Sequence, residues 1–281
     1  MKTCFSITLA TLIYLSTVSC EKLNDSDTLN GNPNDTIPVL IDTCISDTCH
    51  TCDLIESAES IYYKLLNAYS DSCVNCLELI LAKWEDKYPV KVDIPDSVQD
   101  VYEVYKEFYS PWDLGRISES EFGDNIYSGY SHYVIQNTIK YNYNFRSYSS
   151  EHFTLNDFRP SIKNDTVHVY YLKEDYANAL NCFLGSEYLS LGSGNIMSPA
   201  LPDGESYWRY KFLNNYLFFF HGHWGNYWHF ETHPEVERIS FNAERDSAQV
   251  HFRLGYQGGE VILGKKEGNW IITDHYMTWI E

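Results

Sequence analysis

The chain predicts an α+β fold in which helices come first and an antiparallel sheet comes last. Apolar residues recur at helical spacing in three segments between positions 54 and 108. Apolar and polar residues alternate from His132 to Phe145 and again from Ala248 to Tyr256, the mark of half-buried strands. Turn sequences then separate the closing runs, which read as a meander.

Each element has its own signal. The first helix carries Leu54, Ala58, Ile61, Leu65 and Leu66 on one face. A second carries Cys73, Leu77, Ile80, Leu81 and Trp84, and Pro89 stops it. The third starts after Pro95 with Asp96 or Ser97 as cap, buries Val101, Tyr102, Tyr105 and Phe108, and ends before Pro111. Residues 37–42 (IPVLID) and Val167 to Tyr171 read as short strands. Tyr176, Ala179, Leu180 and Phe183 form a helical face closed by Gly185. A Gly/Ser/Pro-rich loop over 187–202 leads into an aromatic helix from about Asp203 to Phe220. In the closing meander, Gly258-Gly259 and Glu267-Gly268-Asn269 are the expected turns.

The N-terminus sets the expected location. Lys2, an apolar run from Phe5 to Leu15 and the small residues Ser16 to Ser19 form a secretory signal, too short to span a bilayer. Cys20 follows directly. This arrangement resembles the lipobox of bacterial lipoproteins, although that family usually has Leu where Thr17 stands. The resemblance implies cleavage after residue 19 and lipidation of Cys20. The expected organisation is signal peptide 1–19, lipid-anchored disordered tether 20–37, helical cysteine-containing region 38–125 and α+β region 126–281. The expected location is the cell envelope, as an outer membrane lipoprotein facing the periplasm or the surface.

Charge narrows the partners. Asp and Glu number 39 against 20 Lys and Arg, a net charge of −19. Such a chain repels phosphate backbones, so no nucleic-acid partner is expected. It repels anionic lipid surfaces as well, so membrane attachment rests on the lipid. The expected partners are the membrane through that anchor, an envelope protein or a small ligand.

In an exported chain, Cys44, Cys49, Cys52, Cys73, Cys76 and Cys182 are disulfide candidates. The C-x-x-C pairs Cys49/Cys52 and Cys73/Cys76 also have the spacing of a four-thiolate zinc site or of a redox motif at a helix start. Zinc is the weakest of these readings, because the helix of roughly 16 residues between the pairs spans about 24 Å. His229, Glu231 and His233 have the residue types of a metal site if residues 227–233 form one strand, which puts them on one face. Strand neighbours on that face stand about 6.6 Å apart, so a polar face over an aromatic one is the simpler reading. No motif calls for a cofactor.

The tail YQGGEVILGKKEGNWIITDHYMTWIE, preceded by an aromatic helix, resembles the nuclear-transport-factor-like (ketosteroid-isomerase-like) α+β cone over roughly residues 165–281. The resemblance implies helices packed on a curved antiparallel sheet with a pocket between them. That fold hosts binding proteins and enzymes alike. The expected role is a ligand- or partner-binding module. The alternatives are a small-molecule enzyme, with Asp274 or His275 in the cone's pocket, and a thiol-redox role for the paired cysteines.

Overall fold

The computed structural model describes residues 57–119, 126–127, 129–145, 152–184, 205–221 and 228–280. Cys20, Cys44, Cys49, Cys52, the tether, the expected strand at 37–42 and the loop at 187–202 lie outside the described residues. The fold is α+β, as the periodicities require.

Two helices open the described chain. Helix α1 (Ala58–Ser70) is capped by Ser57, whose hydroxyl accepts from the Ser60 N–H. Helix α2 (Val74–Lys87) begins at Cys73, which is disulfide-bonded to Cys76. Next, a 3-10 turn (Asp96–Val98) leads into α3 (Gln99–Phe108), which buries Val101, Tyr102, Val104, Tyr105 and Phe108. Strands β1 (His132–Gln136), β2 (Thr138–Asn142), β3 (Phe153–Asn156) and β4 (His168–Leu172) follow. Helices α4 (Glu174–Phe183) and α5 (Glu205–Leu213) come next, then short β5 (Phe220–His221) and β6 (Trp228–His229). The chain closes with β7 (Glu235–Phe241), β8 (Ser247–Leu254), β9 (Gln257–Lys266) and β10 (Asn269–Ile280).

The main sheet has six strands in the order β10-β9-β8-β7-β2-β3. Its neighbours are antiparallel except for the parallel contact of β2 with β7. Separately, β1 pairs in parallel with β4, and β5 pairs with β6. One buried apolar cluster joins α3 to the inner face of the main sheet, where Phe108 meets Phe252 at 5.1 Å between ring centres. A second joins α1, α2 and α4 to β1, β4 and Phe212. There Trp84 stacks on Tyr176 at 4.2 Å, and its indole N–H donates to the Tyr171 carbonyl at 2.9 Å. Side chains of this size contribute on the order of 2–3 kcal/mol each by burial alone.

Several elements depart from the sequence expectation. The long alternating run from His132 is two strands, β1 and β2, which break at Asn137 and enter different sheets. The alternation in residue type does not carry over to burial in both halves: β1 buries Tyr133 to Gln136 on both faces, whereas β2 exposes Thr138 and Lys140. The aromatic helix ends at Leu213, with the Asn215 side-chain amide donating to the Phe212 carbonyl, and Trp208 is 59 % exposed rather than in the core. The first meander turn lies at Gly255-Tyr256, where Gly255 takes φ +61°, and not at Gly258-Gly259, which are inside β9.

Those two glycines serve close packing instead. A Cβ on Gly259 would stand 2.7 Å from the Phe252 ring and 2.9 Å from the Tyr276 carbonyl oxygen. Backbone cannot yield there as a flexible side chain can. Gly259→Ala is therefore expected to destabilise the protein by about 1–3 kcal/mol in chemical denaturation. An unchanged midpoint would show that this approach is not tight.

Candidate functional site

Two of the polar clusters among the described residues are candidate sites. The first holds the histidines expected from sequence. Strand β6 ends at His229, so residues 227–233 are not one strand and Glu231 does not share a strand face with both histidines. The chain instead bends toward β7 and is tied down at Thr232. The Thr232 N–H donates to the Val134 carbonyl at 2.7 Å, its hydroxyl accepts from the Val134 N–H at 2.9 Å, and its carbonyl accepts from the Tyr109 hydroxyl at 3.0 Å.

That anchoring seats His233, which is fully buried. Its backbone N–H donates to the Tyr127 hydroxyl oxygen at 2.6 Å, and its ring stacks on Phe220 at 4.6 Å. Ligand-type atoms of His229, His233 and Glu235 lie within 4.8 Å of one another. Glu235, from the start of β7, completes this trio in the place expected for Glu231.

Ring tautomers decide what the trio offers. The Gly255 N–H donates to His233 Nδ1 at 2.5 Å, so Nδ1 carries no proton. Burial, then the neighbouring His229 and Arg253, push the pKa of His233 well below the ordinary value, which keeps the ring neutral. The proton is thus on Nε2, an atom with no hydrogen-bond partner among the described residues. A metal ion takes a lone pair, and a metal-bound histidine usually donates its other N–H outward. As seated, His233 offers an N–H donor where an ion would need a lone pair, so this corner suits a hydrogen-bond acceptor.

The carboxylates here are strained electrostatically. Burial, then the charges of Glu231 and Glu237, raise the Glu235 pKa to about 8, with Arg253 opposing. Burial raises Glu231 as well. For an acid whose native pKa lies above its unfolded value, the contribution to stability is complete below the unfolded pKa and is lost as pH climbs through the native one.

The second place is the outer face of the main sheet. Strand register sets a polar row across it: Arg238 on β7 opposes His251 on β8, which opposes Glu260 on β9, which opposes Tyr276 on β10. The pairing of Tyr141 with Ile239 sets Lys140 beside Arg238. In the next row Gly258 opposes Trp279. A Cβ on Gly258 would stand 2.1 Å from the indole, so glycine is what lets that ring lie down on the sheet. Lys140, Arg238, His251, Glu260 and Trp279 line a cleft of about 470 Å³.

This row is wired in one direction. Arg238 Nη2 lies 3.0 Å from His251 Nε2, and arginine only donates, so Nε2 accepts. The proton therefore sits on Nδ1, which lies 3.1 Å from Glu260 Oε1. The Gln249 amide donates to the other Glu260 oxygen at 2.5 Å. Burial, helped by Arg238 and opposed by Glu260, lowers the His251 pKa and keeps the ring in this neutral bridging form.

Among the cysteine candidates, Cys73 and Cys76 pair with each other at the start of α2, and Cys182 in α4 is disulfide-bonded too. Asp274 is exposed on β10, where its carboxylate accepts from the Tyr276 hydroxyl. The sequence reading missed Glu235 and the polar row. Pro234 between His233 and Glu235 was the available signal for the first, because proline interrupts a strand ladder.

Thermal unfolding across pH tests the His–Glu corner. Native stability is expected to fall between about pH 4.5 and pH 8 as Glu235 ionises in the unfolded chain before the folded one. Glu235→Gln is expected to flatten that slope and raise the melting temperature at pH 8; an unaltered pH profile would contradict it.

Comparisons with protein-family models, with curated proteins and with solved structures each find no match for this chain.

Proposed function

We propose that this chain is the binding part of a lipid-anchored envelope protein, and that its ligand seat is the cleft on the outer face of the main sheet. The observation that carries this reading is the row Arg238–His251–Glu260, whose members hold one another in place, with Gln249 bonded to Glu260, before any ligand arrives. Prearranged polar groups spare a ligand the ordering cost of the side chains it meets. Volume agrees, since about 470 Å³ lies within the range of small-molecule sites. On the inner face, α3 packs its buried aromatic side chains against the sheet. Attachment rests on Cys20, whose acylation would hold the folded body outside the cytoplasm on a polar tether.

Two measurements test this. Mass spectrometry of the native protein is expected to find residues 1–19 removed and Cys20 acylated; an intact N-terminus without acyl chains would end the anchoring half of the proposal. A thermal-shift screen with a broad library of small polar compounds is expected to give stabilising hits on the wild type that vanish in Trp279→Ala. Hits that persist in the variant, or a screen with none, would reject the cleft as the binding seat.

A further inference from the structure

The cleft's cations indicate what it binds. Acids outnumber bases 39 to 20 in this chain, and Arg116, Arg159, Arg209 and Arg245 each pair with a carboxylate. Lys87 pairs with Asp175, Lys265 with Asp100, and Arg116 with Glu107. Arg238 and Lys140 stand side by side, and neither has an ion-pair partner among the described residues.

Glu260, the nearest carboxylate in the row, is taken by His251 and Gln249. The guanidinium of Arg238 spends one Nη2 donor on His251 and its Nε is enclosed by protein, which leaves Nη1 and the second Nη2 hydrogen for a ligand. An unused guanidinium edge beside an ammonium matches a carboxylate or phosphate, which accepts two parallel N–H bonds.

The rest of the lining constrains the remainder of the ligand. Trp279 lies against Gly258, with the Arg253 guanidinium 5.2 Å from its ring centre, and contributes an aromatic wall. Glu237, His152 and Thr278 add acceptors and donors that suit hydroxyl groups. A flat apolar wall, scattered hydroxyl partners and one anion position describe a sugar ring that carries an acid.

Resting on the reading of the cleft as the ligand seat, we infer that it binds an acidic sugar, with the carboxylate on Arg238 and Lys140 and the ring against Trp279. The long-range field of an acidic protein opposes such a ligand, so recognition depends on these two local cations. The ligand's own charge then confers selectivity, because a neutral sugar leaves the Arg238 edge unpaired.

Titration calorimetry with digalacturonate, lactose and the zwitterionic dipeptide Ala-Ala tests this on the intact folded chain. Digalacturonate is expected to bind, and lactose and Ala-Ala to bind at least about tenfold more weakly, as loss of a charge-assisted pair implies. Arg238→Gln and the exposed Lys140→Gln are each expected to weaken digalacturonate by about tenfold and leave lactose unchanged. Should Arg238→Gln fail to fold, Lys140→Gln carries the test alone. Equal affinity for lactose or for Ala-Ala overturns the acidic-sugar assignment, as does digalacturonate binding that survives Lys140→Gln. No binding of digalacturonate overturns it too. In these cases, library hits that depend on Trp279 leave the cleft itself standing as a seat for another ligand class.

Discussion

The arrangement depends on how the chain crosses from one sheet to the other, and a single amide governs the crossing. Gln136 ends β1, and its side chain is buried. The amide nitrogen donates to the carbonyls of Val236 at 2.7 Å and Thr138 at 3.0 Å, while its oxygen accepts from the Val236 N–H at 2.7 Å. The side chain thus behaves as a short piece of strand beside β7, which satisfies backbone groups that the sheet change would otherwise strand in the interior. Thr232 performs the same service against Val134. With both in place, β1 joins the helical layer, β2 joins the main sheet, and the start of β7 is fixed.

Both candidate sites follow from that junction. It delivers His233 into the interior, where Tyr127 and Gly255 hold it. It also sets the phase of β7, and through β7 the partners of every outward residue on β8, β9 and β10. Helix α3 occupies the other face with Val101, Tyr105 and Phe108. The result is a sheet with an apolar side committed to packing and a polar side left to chemistry.

Much of the fold was legible because its signals are local. Periods of 3.6 and 2 located the helices and the last three strands, and the prolines marked where helices stop. The failures were not local. A run alternating from His132 to Phe145 cannot say which sheet each half joins, nor that β1 is buried on both faces while β2 is not. Gly258-Gly259 looked like a turn because adjacent glycines usually are one. Here one leaves room for Trp279 and the other for Phe252. Placing the turn three residues late shifts the pairing of β8 with β9, and the row that sets Arg238, His251 and Glu260 side by side is then invisible. The histidines were visible as residue types, but their tautomers depend on backbone donors far away in sequence, such as Gly255 for His233.

Strand β10 is the longest in the sheet and lies at its edge, with Ile271, Tyr276 and Ile280 exposed. Its register against β9 shifts twice, between Ile272 and Asp274 and again between Met277 and Trp279. Each irregularity adds local twist and interrupts the even spacing of outward N–H and C=O groups. A neighbouring molecule seeking to extend the sheet therefore meets an interrupted ladder, which guards against stacking of one copy on the next.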